Sequence, residues 1–405
     1  MVQISHHIPA YVQHVLDTLR THGKRGYLVG GSLRDLLRGE MPHDFDLTAN
    51  ATPDEMLVIF KDWRVIPTGL AHGTVTVISE GRPIEITTHR TDGTYTDSRH
   101  PDRVTFTADL SEDLARRDFT VNAMAWSEET GLVDLFDGQG DLARGILRAV
   151  GDPETRFSED ALRILRCFRF AAQLDFDIEE NTAAAAAVCA KRLEDIAAER
   201  ITAELLKTLT SKAAAKGISA LLAAGCAPFV FFDTTPDPSI IKKLRDLPND
   251  AAVRTAALLH THKEAPVRAL LRRLHTSNAF AGSVLAHLAM LDEQIPATPY
   301  EARRFVCRHH PHAQSGLALI AAIQAKDTAN AAALCQKVFR DGTAVEIRRL
   351  AVNGKELQDT VGVRPEKTAT LLALLQDLVW QEPTANKKDV LLAHARNVCE
   401  KEKLL

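Results

Sequence analysis

Asp44, Phe45 and Asp46 set two carboxylates two residues apart, a short way downstream of Gly30-Gly31-Ser32. On a strand, residues i and i+2 share a face, so both acids would project together while Phe45 packs behind them. Adjacent like charges are costly unless a cation neutralises them, and hard Mg²⁺ takes oxygen ligands. Glu85 is a third candidate. In Pro83-Ile84-Glu85-Ile86-Thr87, alternation puts it on the face opposite Ile84 and Ile86, where a neighbouring strand could present it beside the pair. A plain solvated strand face would leave the same pattern, so both readings stand. Three such carboxylates could hold two Mg²⁺ ions about 3.5–4 Å apart, one to activate a hydroxyl and one to neutralise a triphosphate.

Other residues could meet that triphosphate. Tyr27, Leu28 and Val29 form a strand that runs into Gly30-Gly31-Ser32 and then a helix near Leu33. A glycine pair at such a turn lets the backbone approach a phosphate, and the helix N-terminus favours anionic charge. A tight turn with no ligand would look alike. Arg116-Arg117-Asp118 adds guanidinium groups suited to bidentate phosphate contact.

A second constellation lies in FSEDALRILRCFRFAAQLDF, residues 157–176. The spacing predicts a helix with Ser158 as N-cap and with Glu159 and Asp160 in the first turn. Leu162, Leu165 and Phe168 supply an apolar face. Asp160, Arg163, Arg166 and Arg169 recur every third residue and fan around one side. An acceptor and a donor fork one turn apart can pair with the Watson–Crick edge of a base. The competing reading is an ion pair on a solvated face, worth only a few tenths of a kcal/mol.

The elements that must position these groups fall into two compositional regimes. Up to about residue 150, short apolar runs such as GYLVGG, TVTVIS and RPIEITTH are strand-sized, and TPDEMLVIFKDW is helical. Beyond Pro153, Ala, Leu, Arg and Glu dominate with a period near 3.6, broken around Pro228–Pro238, Pro296–Pro299, Asn353-Gly354 and Pro383. The predicted fold class is an α/β head with a mixed sheet, residues 1–150, followed by an all-α remainder. That remainder divides into a neck (151–215), a body (216–340) and a tail (341–405).

Bulk properties narrow the function. A formal net charge of −4 over 405 residues excludes a globally basic nucleic-acid binder but leaves room for a local basic face. Six dispersed cysteines with no CxxC pair fit reduced thiols in the cytoplasm and argue against zinc. No apolar run approaches 18 residues, so no membrane partner is expected. ALLHTHKE (257–264) lacks the adjacent His-Asp pair of a phosphohydrolase, and His309-His310-Pro311-His312 reads as a polar turn.

The motifs together resemble the nucleotidyltransferase superfamily, in particular the bacterial class II CCA-adding enzymes of the tRNA nucleotidyltransferase and poly(A) polymerase family. GGSLRD with DFDLTANATP is similar to the family's first motif, and ARRDFTVNAMAW (115–126) to its second, which selects ribose. LFDGQGDLARGILRAVGDP (135–153) resembles the hinge between head and neck, FSEDALRILRCFRFAAQLDF the base-recognition helix, and ERITAEL (199–205) the continuing neck. The resemblance implies catalysis by Asp44, Asp46 and Glu85, with Mg²⁺ on Asp44 and Asp46. It implies triphosphate contacts by Gly31 and Arg34, nucleotide contacts by Arg117 and Asn122, and a ribose contact by Asp118. Asp160 and Arg163 would act as a protein template for C and A, with Arg166 and Arg169 near the nucleotide. The implied substrates are CTP, ATP and the 3′ end of tRNA, whose A-form acceptor stem suits shape and backbone contacts by the helical half. Lys387, Lys388 and Arg396 are candidates there.

Related activities are weighed by local differences. A poly(A) polymerase typically carries a GRRFRL-like run where this chain has TGLAHGTVTV (68–77). A CC-adding enzyme lacks the loop that RTDGTYTDSRHPDRV (90–104) retains, with Gly93, Asp97 and Pro101 suited to a mobile excursion. An A-adding enzyme and a non-catalytic RNA-binding protein remain alternatives.

Overall fold

A computed structural model describes residues 4–67, 69–70, 73–92 and 104–402. Thr68, Ala71 and His72, and the loop residues 93–103 with Gly93, Asp97 and Pro101, lie outside the described residues. The chain divides into two compact units. One comprises Met1–Pro236 with Leu270–Thr276, the other Asp237–Ala269 with Ser277–Leu405.

The first unit begins with a mixed α/β head. Its strands are β1 (Gly26–Val29), β2 (Asp46–Ala49), β3 (Arg64–Ile66), β4 (Thr74–Ser79), β5 (Arg82–Thr88), the paired β6 (Arg90–Asp92) and β7 (Val104–Phe106), β8 (Met124–Ser127) and β9 (Gly131–Asp134). Seven of them form one sheet in the order β3-β4-β5-β2-β1-β8-β9. Only β2 and β5 pair in parallel within it, and their register sets Asp46 directly beside Glu85.

The helices of the head are α1 (Ala10–Thr21), α2 (Gly30–Leu37), α3 (Pro53–Ile59), α4 (Leu110–Ala115) and α5 (Gly138–Arg144). Alternation along the strands sends Leu28, Leu47, Val75, Val77, Ile84 and Ile86 to one face, where Val12, Val15, Leu16 and Leu19 of α1 cover them. Each such side chain, fully buried, stabilises the fold by about 1.5–3 kcal/mol. The start of α3 is fixed by a reciprocal cap: Thr52 accepts from the Glu55 backbone N–H while Glu55 accepts from that of Thr52, with Pro53 at the first helical position.

Helices α6 (Pro153–Glu159), α7 (Leu162–Leu174), α8 (Glu180–Val188), α9 (Ala198–Leu209) and α10 (Ala214–Ala223) complete most of the first unit. The second unit is helical. Pro299–His309, Ala313–Gln324 and Ala329–Asp341 pack around Leu317, Ile320 and Cys335. Gly354–Val361, Thr368–Gln381 and Lys388–Glu402 pack around Leu357, Leu371, Leu375 and Leu391. The expected break at Asn353-Gly354 is a helix start, with Asn353 as the cap of a reciprocal pair with Glu356.

Two local expectations are corrected. Residues 157–176 are not one helix started by Ser158. Ser158 lies inside α6, which Asp152 caps, and Asp160 has an extended backbone (φ −137°, ψ 103°) between α6 and α7. The reason is the Asp160 side chain, whose carboxylate accepts the Leu162 backbone N–H at 3.0 Å and so competes with helix continuation. Asp44 also precedes β2 instead of sharing it with Asp46, although Phe45 is buried against Tyr11 as the alternation required.

Candidate functional site

A cleft of about 520 Å³ in the first unit gathers most of the residues singled out by their chemistry. It is lined by seven arginines (Arg34, Arg116, Arg117, Arg163, Arg166, Arg169 and Arg200) and three aspartates (Asp46, Asp118 and Asp160), with Gly30, Gly31 and Asn122. That excess of guanidinium suits a polyanion.

At one end, the turn from β1 into α2 brings backbone and carboxylate together. Gly30 sits at φ +67°, a conformation that disfavours a side chain, and a Cβ there would lie 3.5 Å from Arg117 Nη1 and 4.0 Å from Asp46 Oδ2. Ser32 Oγ donates to the Val29 carbonyl at 2.8 Å and accepts from the Asp46 backbone N–H at 3.4 Å, tying the turn to β2.

Asp46 faces the cleft openly, with Glu85 beside it and Asp44 just before it in the chain. Surrounding protein, then the charges of Glu85 and Asp44, raise its carboxyl above the usual range, and only Arg117 opposes them. Water reaches this side chain across the cleft, but protein still crowds it on the other sides, which is why an open carboxylate feels burial. Asp44 and Glu85 are exposed and flank the cleft without lining it. Among the described residues, no three His, Cys, Asp or Glu side chains close on one another as a metal cage. Even so, three oxygen-bearing, mutually repelling groups at the anion-facing end form a donor set that suits a hard divalent cation.

The middle of the cleft is a chain of ion pairs. Asp113, fully buried, takes Arg116 on Oδ1 at 2.6 Å and Arg117 on Oδ2 at 2.9 Å. Burial alone would raise its pKa, but Arg117 and Arg116 overcome that and hold it at about 2. Asp118 accepts two bonds from Arg166, at 2.9 and 2.6 Å, and one each from Asn122 Nδ2 and the Phe119 backbone. Here too burial works against ionisation, and Arg166 with Asn122 brings the pKa to about 2. Arg34 Nη1 donates to Asn122 Oδ1 at 2.8 Å, which joins α2 to the same network.

At the far end, Asp160 and Arg163 both line the cleft but do not pair with each other. Asp160 Oδ2 is 3.2 Å from Arg200 Nη2 of α9. Arg163 Nη1 donates to Glu159 and to the Arg156 carbonyl, and its Nη2 donates to the Arg116 carbonyl at 3.0 Å. Arg169 is paired with Glu204 of α9 and with Gln173.

Sequence reasoning missed Asp113, Glu159, Phe170, Gln173, Arg200 and Glu204. For Asp113 a signal existed, since it stands three and four residues before Arg116 and Arg117 on the end of a helix. Arg200 lines the cleft and Glu204 holds Arg169, both from α9 through tertiary packing, which leaves no local mark. Among the guessed lysines, Lys388 is paired with Glu356 at 2.6 Å. No helix among the described residues is long and apolar enough to cross a membrane.

Comparison with known proteins gives this arrangement a family. Residues 26–148 match the poly A polymerase head domain, and residues 175–237 match a region described as the probable RNA and SrmB-binding site of polymerase A. The chain is 49% identical to the CCA-adding enzyme of Levilactobacillus brevis over 211 residues, an alignment spanning about half of each protein (52% of this chain and 53% of that one). It is 34% identical to the CCA-adding enzyme of Ligilactobacillus salivarius over 404 residues, 96% of both chains. The crystal structure of the Bacillus stearothermophilus CCA-adding enzyme in complex with CTP superposes with a TM-score of 0.84 at 28% identity, covering 98% of this chain and 99% of that one. With a relative 34% identical over 96% of both chains, the chain belongs to the CCA-adding enzymes, tRNA nucleotidyltransferases that share the poly(A) polymerase head.

Proposed function

We propose that this protein adds or repairs the 3′-terminal CCA of tRNA, without a nucleic-acid template, from CTP and ATP. The observation that carries the reading is the cleft itself, which joins a glycine turn and clustered carboxylates to seven arginines and the Asp160–Arg163 corner. Residues 1–150 act as catalytic head, 151–215 as neck, 216–340 as body and 341–405 as a tRNA-binding tail. The six free cysteines suit a reducing cytoplasm.

The 3′-hydroxyl of the RNA attacks the α-phosphorus of the bound nucleotide, forming a phosphodiester, and pyrophosphate leaves. The family works with divalent metal; Asp44 and Asp46, with Glu85 beside them, would hold two Mg²⁺ ions, which lower the hydroxyl's pKa and offset triphosphate charge. This chain's own residues bind and orient. Gly31 leaves room for a phosphate to approach the backbone, and Arg34 and Arg117 hold the triphosphate by charge. Asp118, kept anionic by Arg166, accepts from the ribose hydroxyls, with Asn122 beside it. Asp160 accepts from the exocyclic amine of C or A. Three of the five N–H groups of Arg163 are bound to protein, which leaves two for the ring nitrogen of the base. Uracil and guanine put a carbonyl where that amine would be, opposing it to the Asp160 carboxylate. Positioning of this kind, more than covalent work, is what such a transfer asks of a protein.

The test is incorporation of each NTP separately into tRNAs ending before C, after C and after CC. C added twice and then A, in the presence of Mg²⁺, is expected. Adding only A, or only two C residues, would reassign the chain to a partial enzyme; runs of A on unrelated RNA would make it a poly(A) polymerase. No incorporation by folded protein would sink the catalytic reading.

A further inference from the structure

Seven arginines line one cleft, and besides their carboxylate and amide partners three of them share one more contact. Those three surround a single ring. The guanidinium carbons of Arg169, Arg166 and Arg34 lie 3.9, 5.3 and 5.5 Å from the centroid of Phe170. Phe170 is almost wholly buried, yet it lines the cleft. Phe119 packs against it in a T-shaped contact, 5.7 Å between centroids at 78°, and so restrains its orientation. The three cations come from two helices, Arg34 from α2 and the others from α7. They are also the terminal groups of the polar network through Asn122, Asp118 and Glu204.

We propose that Phe170 is a positioning residue for nucleotide binding, an aromatic hub whose electron-rich faces hold Arg34, Arg166 and Arg169 in the spread that the nucleotide meets. A guanidinium over a ring is attracted by the ring's quadrupole, and the attraction grows when water is excluded. An aliphatic side chain of similar size fills the space but offers no such field. Without the hub, Arg34 and Arg166 keep Asn122 and Asp118 but lose the contact that sets their distance from each other. The inference rests on the cleft being the site for CTP and ATP and adds to it the residue that arranges its cations.

Two sets of variants test it on the full-length enzyme, with steady-state addition of C and of A to the appropriate truncated tRNAs. Phe170→Leu should raise the KM for both CTP and ATP about 10-fold, more than it lowers kcat, whereas Phe170→Tyr and Phe170→Trp should stay within about 3-fold of wild type in KM. Site-specific replacement of Phe170 by 4-fluoro- and then 3,4,5-trifluorophenylalanine keeps the shape while draining the ring face, so it holds even where the leucine variant fails to fold. KM should then climb stepwise along the series while the melting temperature stays level. A KM flat along the fluorinated series, or leucine behaving like tyrosine, would reduce Phe170 to packing. A wild-type enzyme that incorporates neither nucleotide would instead remove the reading of the cleft, and this inference with it; one that incorporates both while the series is flat removes the hub alone.

Discussion

Two kinds of carboxylate stand in and behind the cleft. Asp113 is buried and Asp118 largely so, both are paired with arginines, and each pKa is lowered to about 2. Asp46 stands open, crowded by Glu85 and Asp44, and its acidity is shifted the other way. A carboxylate that already has its cation is part of the scaffold. One that is raised and accompanied by like charges fits the proposed role of receiving a cation from outside the chain. On that proposal the same residue type serves to hold arginines in one place and to receive a metal in another, and the two differ in the sign of the shift.

The largest effect that could break this contrast is on catalysis. Asp44→Ala or Asp46→Ala should lower nucleotide incorporation about 10³-fold or more with the fold retained, since metal charge supplies several kcal/mol at the transition state. Near-normal rates in both would end the assignment. Glu85→Gln should also lower the rate, by less; full activity would remove it from the site.

Asp113→Asn should act on the fold instead. Removing the partner of two largely buried guanidiniums should destabilise the protein by about 3 kcal/mol, read by urea denaturation, with a weaker hold on triphosphate as a consequence. An unchanged midpoint would contradict the scaffold role.

The swap Asp160→Arg with Arg163→Asp should move preference from CTP and ATP toward UTP and GTP by about 10²-fold, read in competition among all four. Because Asp160 accepts the Leu162 backbone N–H at the start of α7 and Arg163 pairs with Glu159, the double variant should also melt at a lower temperature. An unaltered preference in a folded variant would rule out the template role.

Acid should separate the two carboxylate classes. With folded values near 2 against 3.8 unfolded, Asp113 and Asp118 each contribute stability that is present above about pH 4 and lost as pH falls toward 2, about 2 kcal/mol apiece. Asp46 has the opposite sign: its charge costs stability above its raised pKa, and protonation relieves that cost as pH falls. Asp46→Asn should therefore raise the melting temperature slightly at pH 7 while abolishing activity. A fall in melting temperature would overturn the claim that this carboxylate is held at a cost.

The legibility of these features in the sequence follows their range. Alternation around Ile84-Glu85-Ile86 placed Glu85 correctly, because the strand period depends only on neighbours. The α/β head and the helical remainder were readable for the same reason. The break at Asp160 was not, because a short polar side chain that bonds the backbone two residues on looks identical in sequence to a helix N-terminal acid. Nor was Arg200, whose approach to Asp160 depends on how α9 packs against α7. Partners forty residues apart leave no spacing rule to read.

The segment Leu270–Thr276 belongs to the first compact unit even though the chain on either side of it belongs to the second. Thr202 of α9 donates to the Leu274 carbonyl at 2.6 Å, and His275 meets Glu199 at 2.7 Å. The first unit is therefore not a cassette that scissors at Pro236 would release intact. A protein ending there would leave α9, the helix that carries Arg200 and Glu204, without its brace, and chimaeras that exchange the whole first unit between relatives would need to carry these seven residues along with them.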